Sequence, residues 1–258
     1  MQKPLILIVN DDGISSPGIR RLISIMNEFG EVVVVAPEGP QSGMGHAITL
    51  ESIIRCDRLV VEEGPQVEYS CSGTPVDCVK LAINKILDRK PDLCVSGINH
   101  GSNSSINVIY SGTMSAAIEG SLEGISSIGF SLLDYDFDAD FSEAEGYIKK
   151  IVSIVLKKGL PDGICLNINI PKIKPNSPIK GIRVCRQANA NWKEDFQERK
   201  DPKGGTYYWL TGKFVNYDDG KDTDEWALAN QYISVVPVQF DLTAYHAISS
   251  TEKLINEI

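Results

Sequence analysis

The chain has 258 residues, 42% hydrophobic and 23% charged, with a formal net charge of −9. A chain of this length buries a full core without staples, and its acidic balance excludes partners that need a basic face, duplex nucleic acid first among them. A small anion is still admissible if a local cation or helix N-terminus receives it. The six cysteines (Cys56, Cys71, Cys78, Cys94, Cys165, Cys185) form no C-x-x-C pair, so zinc and thioredoxin-like chemistry are not indicated. The N-terminus lacks the basic-then-apolar pattern of a secretory signal. No apolar run approaches the ~20 residues of a membrane span. These features lead us to expect a cytoplasmic protein with reduced thiols and no membrane partner.

In chain order, LILIV (Leu5–Val9) and VVVVA (Val32–Ala36) are continuous apolar runs, the pattern of parallel strands buried on both faces. Between them, Gly18–Phe29 carries Ile19, Leu22, Ile23, Ile25 and Met26 at near-helical spacing. Thr74-Pro75-Val76-Asp77 reads as an N-cap, a proline at N1 and an acid at N3, with Val76, Val79, Ile83, Ile86 and Leu87 marking one helix face. A strand is expected at Leu93–Val95, a tightly packed helix after Ser111-Gly112-Thr113, and a strand at Ser127–Leu132. Ser142-Glu143-Ala144-Glu145 reads as a capping box before a helix. Cys165–Ile170 reads as a strand closed by Pro171. Beyond about residue 180 the chain is charged and rich in Trp and Tyr, which suggests hairpins, then a strand at Tyr232–Val238 and a terminal helix at Ser249–Ile258. This alternation predicts an α/β fold. Its centre is a doubly wound, mostly parallel, Rossmann-like sheet with right-handed crossovers, and β-hairpin extensions and a terminal helix follow at the C-terminus. The expected organisation is a core over 1–180 and an extension over 181–258, together one continuous domain.

Ligands of open α/β sheets bind outside the carboxyl ends of the strands. Three loops stand there: NDDGISSPG, PEGPQSGMGH and SGINHGSNSSINVIYSGT. Asp11 and Asp12 follow the first strand directly. Adjacent strand residues face opposite ways, so the two carboxylates converge only if the chain is already turning, and Gly13 permits that. Close carboxylates repel, and a divalent cation resolves the conflict. A plain Asp-Gly turn is the competing reading, and Asp218-Asp219-Gly220, read as a hairpin turn, is its internal example. Ser42, Asn99 and Asn103 each have an ordinary role as loop formers. Together with the aspartates they are hard oxygen donors at one sheet edge, suited to Mg²⁺, Mn²⁺ or Ca²⁺ rather than zinc. Ser111, Gly112 and Thr113 open a helix and could meet a phosphate, although a simple N-cap explains them equally.

Other patterns are absent or weak. Asn10 occupies the first position of a D-x-D, which argues against an aspartyl-phosphate route. No G-x-G-x-x-G follows the first strand. His46, His100 and His246 form no known catalytic signature, though the first two fall in site loops and could shuttle a proton. DYDFDAD (Asp134–Asp140) reads as a solvated acidic loop, NYDDGKDTDEW is not an EF-hand, and Arg183–Lys203 reads as a surface hairpin.

The stretches NDDGISSPG, APEGPQSGMGHAITL, SGTPVDCVKLA, PDLCVSGIN and YSGTMSAAIEG, in this order, resemble the SurE family of survival-protein 5′-nucleotidases. NINIP and YISVVPV add to the likeness. The resemblance implies a metal-dependent phosphatase that hydrolyses nucleoside monophosphates. It places one divalent cation per subunit, Mg²⁺ or Mn²⁺, on Asp11, Asp12, Ser42 and Asn99. Asp11, Asp12 and Asn99 would serve catalysis, and Asn103, Ser111, Gly112 and Thr113 would line the phosphate pocket. It also implies a homodimer or homotetramer that exchanges its C-terminal hairpins and helix. One departure stands out: where the family commonly has N-x-G-x-D, this chain has Ser105 for the glycine and Asn107 for the acid. A broader phosphatase, acting also on 3′-nucleotides or short polyphosphate, and a non-catalytic metal or nucleotide sensor are the rival expectations.

Overall fold

In the computed structural model, which describes residues 3–174 and 176–256, Leu5–Val9 (β1) is buried at every position inside a nine-stranded sheet. Its side chains divide between the two faces. Ile6 and Ile8 join one core cluster, and Leu7 and Val9 the other. The remaining strands of this sheet are β2 (Glu31–Pro37), β3 (Cys56–Leu59), β4 (Val67–Cys71), β5 (Leu93–His100), β6 (Ser127–Leu132), β7 (Ile164–Ile170), β8 (Ile182–Val184) and β11 (Ile233–Gln239). Their order is β3-β4-β2-β1-β5-β6-β7-β11-β8. The run from β4 to β7 is parallel, whereas β3 and β11 pair antiparallel with β4 and β7. A separate antiparallel hairpin joins β9 (Ala190–Lys200) to β10 (Thr206–Asn216).

Helices cover both faces. On one side, α1 (Pro17–Met26) buries Ile19, Leu22, Ile23, Ile25 and Met26, and α4 (Ser142–Lys158) buries Ile148, Ile151, Val152 and Val155. On the other lie α2 (Pro75–Leu81) and α3 (Gly112–Leu122). The expected cap of α2 is present in full. The Thr74 hydroxyl accepts from the Asp77 N–H, and the Asp77 carboxylate accepts from the Thr74 N–H. The small residues of α3 let it sit close to the sheet, since a Cβ at Gly120 would lie 2.4 Å from Ser127 Oγ and 3.1 Å from Cys94 Cβ.

Four expectations need correction. α4 does not start with a capping box: its N-cap is Phe141, and the Ser142 N–H donates to Asp140 Oδ1 at 2.8 Å instead. Asp140 lies two residues before Ser142 and competes for the same donor. The strand expected at Leu93–Val95 runs on to His100, and its register against β6 shifts between Ser96 and Asn99. Gly97 permits this shift, with φ +119° and its α-carbon so near β6 that a Cβ would lie 2.3 Å from Phe130 O. Asp218-Asp219-Gly220 does not turn a hairpin; it leads from β10 into α5 (Asp224–Ala229). The terminal helix α6 spans Ile248–Ile255, and the last two residues of the expected helix lie outside the described range. Among the described residues, no helix is long and apolar enough to cross a membrane.

Candidate active site

β1, β2 and β5 all release their loops at the same carboxyl edge, so the three loops singled out by sequence meet there. Asn10 organises the first. It is fully buried, and its Nδ2 donates to Gly13 O at 2.9 Å and Ser16 Oγ at 3.0 Å. Gly13, at φ +96°, completes the turn against Gly39, whose Cα a Cβ would approach to 3.1 Å. The second loop is tied to the first through the Gln41 N–H, which donates to Asp11 O at 2.7 Å. The strand therefore ends at Val9, and the two aspartates sit on a turn fixed by an amide.

A cavity of about 300 Å³ lies where these loops meet. Asp11, Asp12, Ser42, Asn99, Asn103 and Ser111 all line it. Gly112 and Thr113 do not line it, and they act behind Asp11. The Thr113 hydroxyl donates to Asp11 Oδ1, and a Cβ at Gly112 would lie 2.6 Å from Asp11 Cβ. Asp11 is almost fully buried, and its carboxyl is pushed up to about 6. Burial is the main cause and the Asp12 charge the second, opposed by the Thr113 hydroxyl and backbone N–H. Asp12 is also raised by burial, with the His100 N–H opposing at 3.2 Å from Oδ2. Two desolvated carboxylates therefore share one cavity, and the hydrogen bonds they accept come from the Thr113 hydroxyl and backbone N–H groups.

Asn99 stands at the carboxyl end of β5, delivered there by the register shift. Its Nδ2 donates to Gly101 O at 3.0 Å, which leaves Oδ1 as its available ligand atom. Asn103 is held by a buried polar relay. Its N–H donates to Asn169 Oδ1, its carbonyl accepts from Asn167 Nδ2, and its own Nδ2 donates to Ser131 Oγ, each at 2.8 Å. The Ser111 hydroxyl accepts from the Met114 N–H at 3.0 Å, so Ser111 caps α3 while lining the cavity.

The histidines divide. The His100 side chain turns away from the carboxylates: its Nδ1 donates to Asp136 O at 3.0 Å, and its ring meets Phe141 edge-on. His46 Nε2 pairs with Glu119 at 2.9 Å, and Lys80 binds the same carboxylate, beside a different groove. His246 lies in the exposed turn before α6.

A model of the family described as survival protein SurE matches residues 6–194. The chain belongs to the SurE family. The 5′-nucleotidase SurE of Flavobacterium psychrophilum is 66% identical over 250 residues, covering 97% of each chain. The 5′-nucleotidase SurE of Christiangramia forsetii is 65% identical over 248 residues, covering 96% of this chain and 95% of its own. The crystal structure of the SurE protein from Aquifex aeolicus matches with a TM-score of 0.83 at 40% identity, covering 97% of this chain and 99% of that one. The α/β architecture expected from sequence is thus that of a solved SurE structure.

Within this SurE fold, sequence reasoning missed several residues. Asn107, Tyr110 and Tyr135 also line the cavity, and Trp192 Nε1 donates to Asn107 Oδ1 at 2.7 Å. The relay from Asn167 and Asn169 was visible as a signal: amides alternating with isoleucine in a buried strand must find partners. Tyr135 was legible only as an aromatic among acids.

Proposed function

We propose that this SurE-family chain is a divalent-cation-dependent 5′-nucleotidase, converting a nucleoside 5′-monophosphate to nucleoside and inorganic phosphate. The observation that carries the reading is the pair of the buried Asp11 and the half-buried Asp12, with no Lys or Arg among the described residues that line their cavity, facing the same cavity as Ser42, Asn99 and the cap of α3. Relatives that bear the 5′-nucleotidase name at 66% and 65% identity support it.

The donor set fits a hard cation. Asp11, Asp12, Ser42 and Asn99 would hold it through oxygen alone, and two negative charges leave coordination positions open. When bound, such a cation supplies Lewis-acid polarisation of a phosphoryl oxygen and a nucleophilic water. The residues of the chain do the rest. Thr113 fixes the Asp11 carboxylate through its hydroxyl, and the backbone of His100 fixes Asp12. Ser111 and Asn103 would receive the phosphate, Asn103 with its backbone clamped on both sides by Asn167 and Asn169. Thr113 and Gly112 support Asp11 in this reading and do not touch the substrate. Six free cysteines, five of them buried, agree with a reducing, cytoplasmic setting.

The test is inorganic phosphate release from nucleoside 5′-monophosphates with Mn²⁺ or Mg²⁺, with and without a chelator. Release that depends on the cation supports the reading, and equal background release in both conditions overturns it. Including 3′-monophosphates and short polyphosphate in the same panel sets the breadth of the substrate class.

For assembly we propose a homodimer or homotetramer built through residues 181–258. The β9–β10 hairpin exposes Phe196, Tyr208, Trp209 and Leu210, and α6 buries none of its residues while exposing Leu254 and Ile255. A monomer rarely leaves that much apolar surface uncovered.

A further inference from the structure

Hydrolysis of a phosphate ester needs a proton at the oxygen that departs, and the groups already placed in the site have other tasks. Asp11 and Asp12 hold the cation in that reading, His100 turns its ring to Asp136 O, and His46 faces a different groove. A further ionisable side chain, outside the cavity, reaches it through hydroxyls. Ser102 lines the cavity, its Oγ lies 2.5 Å from Ser104 Oγ, and Ser104 Oγ lies 2.5 Å from Oε1 of Glu225 on α5. We propose that Glu225, Ser104 and Ser102 form a proton relay that protonates the leaving oxygen of the ester. The proposal rests on the phosphomonoesterase reading above. The exposed phenols of Tyr110 and Tyr135, which also line the cavity, are the rival source and would make Glu225 dispensable.

The relay is held at both ends. Asn103, between the two serines, has its backbone clamped by Asn167 and Asn169. Asp224, next to Glu225, accepts from the Ser105 N–H at 2.8 Å and the Ala188 N–H at 2.9 Å. Asp224 therefore anchors α5 to this turn by itself, and Glu225 is not needed for that task. Ser104 is 1% exposed, so bulk water does not interrupt the relay at its midpoint. The Ser104 N–H donates to Ser102 Oγ at 3.2 Å. A protonated Glu225 donates to Ser104 Oγ, and Ser104 in turn donates to Ser102 Oγ. Ser102 then accepts twice, and its own hydrogen is left for the cavity. Burial pushes the Glu225 carboxyl up, opposed by the Ser104 hydroxyl and assisted by the Asp224 charge, which favours the protonated form from which the relay starts. As water attacks phosphorus and the bond from phosphorus to the ester oxygen breaks, that oxygen keeps the bonding pair and takes the Ser102 proton. Ser102 takes the proton of Ser104, and Ser104 that of Glu225, which becomes a carboxylate. The attacking water leaves one proton on the phosphate and yields the other to solvent, and solvent returns one to the half-buried Glu225. Each turnover consumes one water and no net proton.

The experiment measures kcat and KM for adenosine 5′-monophosphate and p-nitrophenyl phosphate with Mn²⁺, and Mn²⁺ affinity by electron paramagnetic resonance, in the wild type, Glu225→Gln and Ser104→Ala. The p-nitrophenolate group leaves without needing a proton. Glu225→Gln keeps a hydrogen bond to Ser104 and removes the acid. It should lower kcat on the nucleotide about a hundredfold, the lower end of what general acid catalysis contributes, with KM and Mn²⁺ affinity unchanged. The ratio of kcat on the nucleotide to kcat on p-nitrophenyl phosphate should fall by the same factor. Ser104→Ala, which cuts the relay at its midpoint, should do likewise. An unchanged kcat on the nucleotide in either variant, an equal fall on both substrates, or a fall accompanied by weaker Mn²⁺ binding overturns the relay and leaves the phosphomonoesterase reading standing. Absence of phosphate release from both substrates by the wild type overturns that reading, and the relay with it.

Discussion

Asp11 and Asp218 begin the same Asp-Asp-Gly tripeptide, and their surroundings set them opposite tasks. Asp11 is buried against a second carboxylate, and its carboxyl is raised. Asp218 is half-buried and held well below the usual carboxylate range by Arg186, whose Nη1 and Nη2 reach it at 2.6 and 2.9 Å, with the Gly220 and Asn189 N–H groups adding to it. Asp11→Asn should therefore lower kcat/KM by about a hundredfold or more, since even outer-shell metal partners are worth 10–100-fold. It should also raise the thermal midpoint of the metal-free protein, because a buried repulsion is removed. Full activity in that variant would sink the assignment. Asp218→Asn should leave kcat unchanged and lower stability slightly. Its folded pKa is depressed, so its contribution is fully present above the ordinary value of 3.8 and disappears as pH falls through the lower folded value. Acid-unfolding curves of wild type and variant should converge at low pH, and a gap that persists there would contradict the ion-pair account.

The elements beyond β7 reach back into the site. Trp192 on β9 fixes Asn107 in the cavity wall. Ser105 anchors the same turn, with its hydroxyl on Ala188 O and Ala190 O and its N–H on Asp224 Oδ2. Ser105 sits at φ +51°, a conformation that favours glycine and costs a serine on the order of 1 kcal/mol. The hydroxyl, shared between Ala188 O and Ala190 O, is what serine adds over glycine there, and it offsets part of that strain. Trp192→Phe removes only the indole donor. KM for the nucleotide should rise roughly two- to tenfold, the scale of one net hydrogen bond, with kcat little changed. Unchanged KM would show that Asn107 needs no positioning. The sequence made some of these elements legible and hid others. The Thr74 cap was readable because its four residues act alone. The carboxyl half of β5 was not, because Ser96-Gly97-Ile98-Asn99-His100 reads as a loop until β6 pairs with it. The short strand β3 is held by β4 and β8 by β11, and α5 is tied to Ser105 and Ala188 through its own Asp224 carboxylate, contacts that leave no local pattern. Of the site, the cavity-lining aspartates, Ser42 and the two asparagines were legible, whereas the supporting role of Thr113 needed the fold.

For the whole molecule, the exposed apolar residues of β10 and α6 predict association. Sedimentation at micromolar concentration should give a dimer or larger, and removal of residues 241–258 should weaken it. A wild-type monomer at that concentration would overturn the assembly proposal. A different consequence follows from the spans that the supporting hydrogen bonds bridge. Thr113 is 102 residues from Asp11, His100 is 88 from Asp12, and Asn169 is 66 from Asn103. No local segment holds both aspartates together with Ser42 and Asn99. A nascent chain emerging in order would display its two aspartates early, with nothing yet to shape them for a cation, and only the arrival of β7 would close the arrangement. Cation affinity should then act as a gauge of global folding: ligand that binds only the native state raises stability by mass action, and a fragment ending before residue 164 should bind Mn²⁺ no better than any pair of exposed carboxylates.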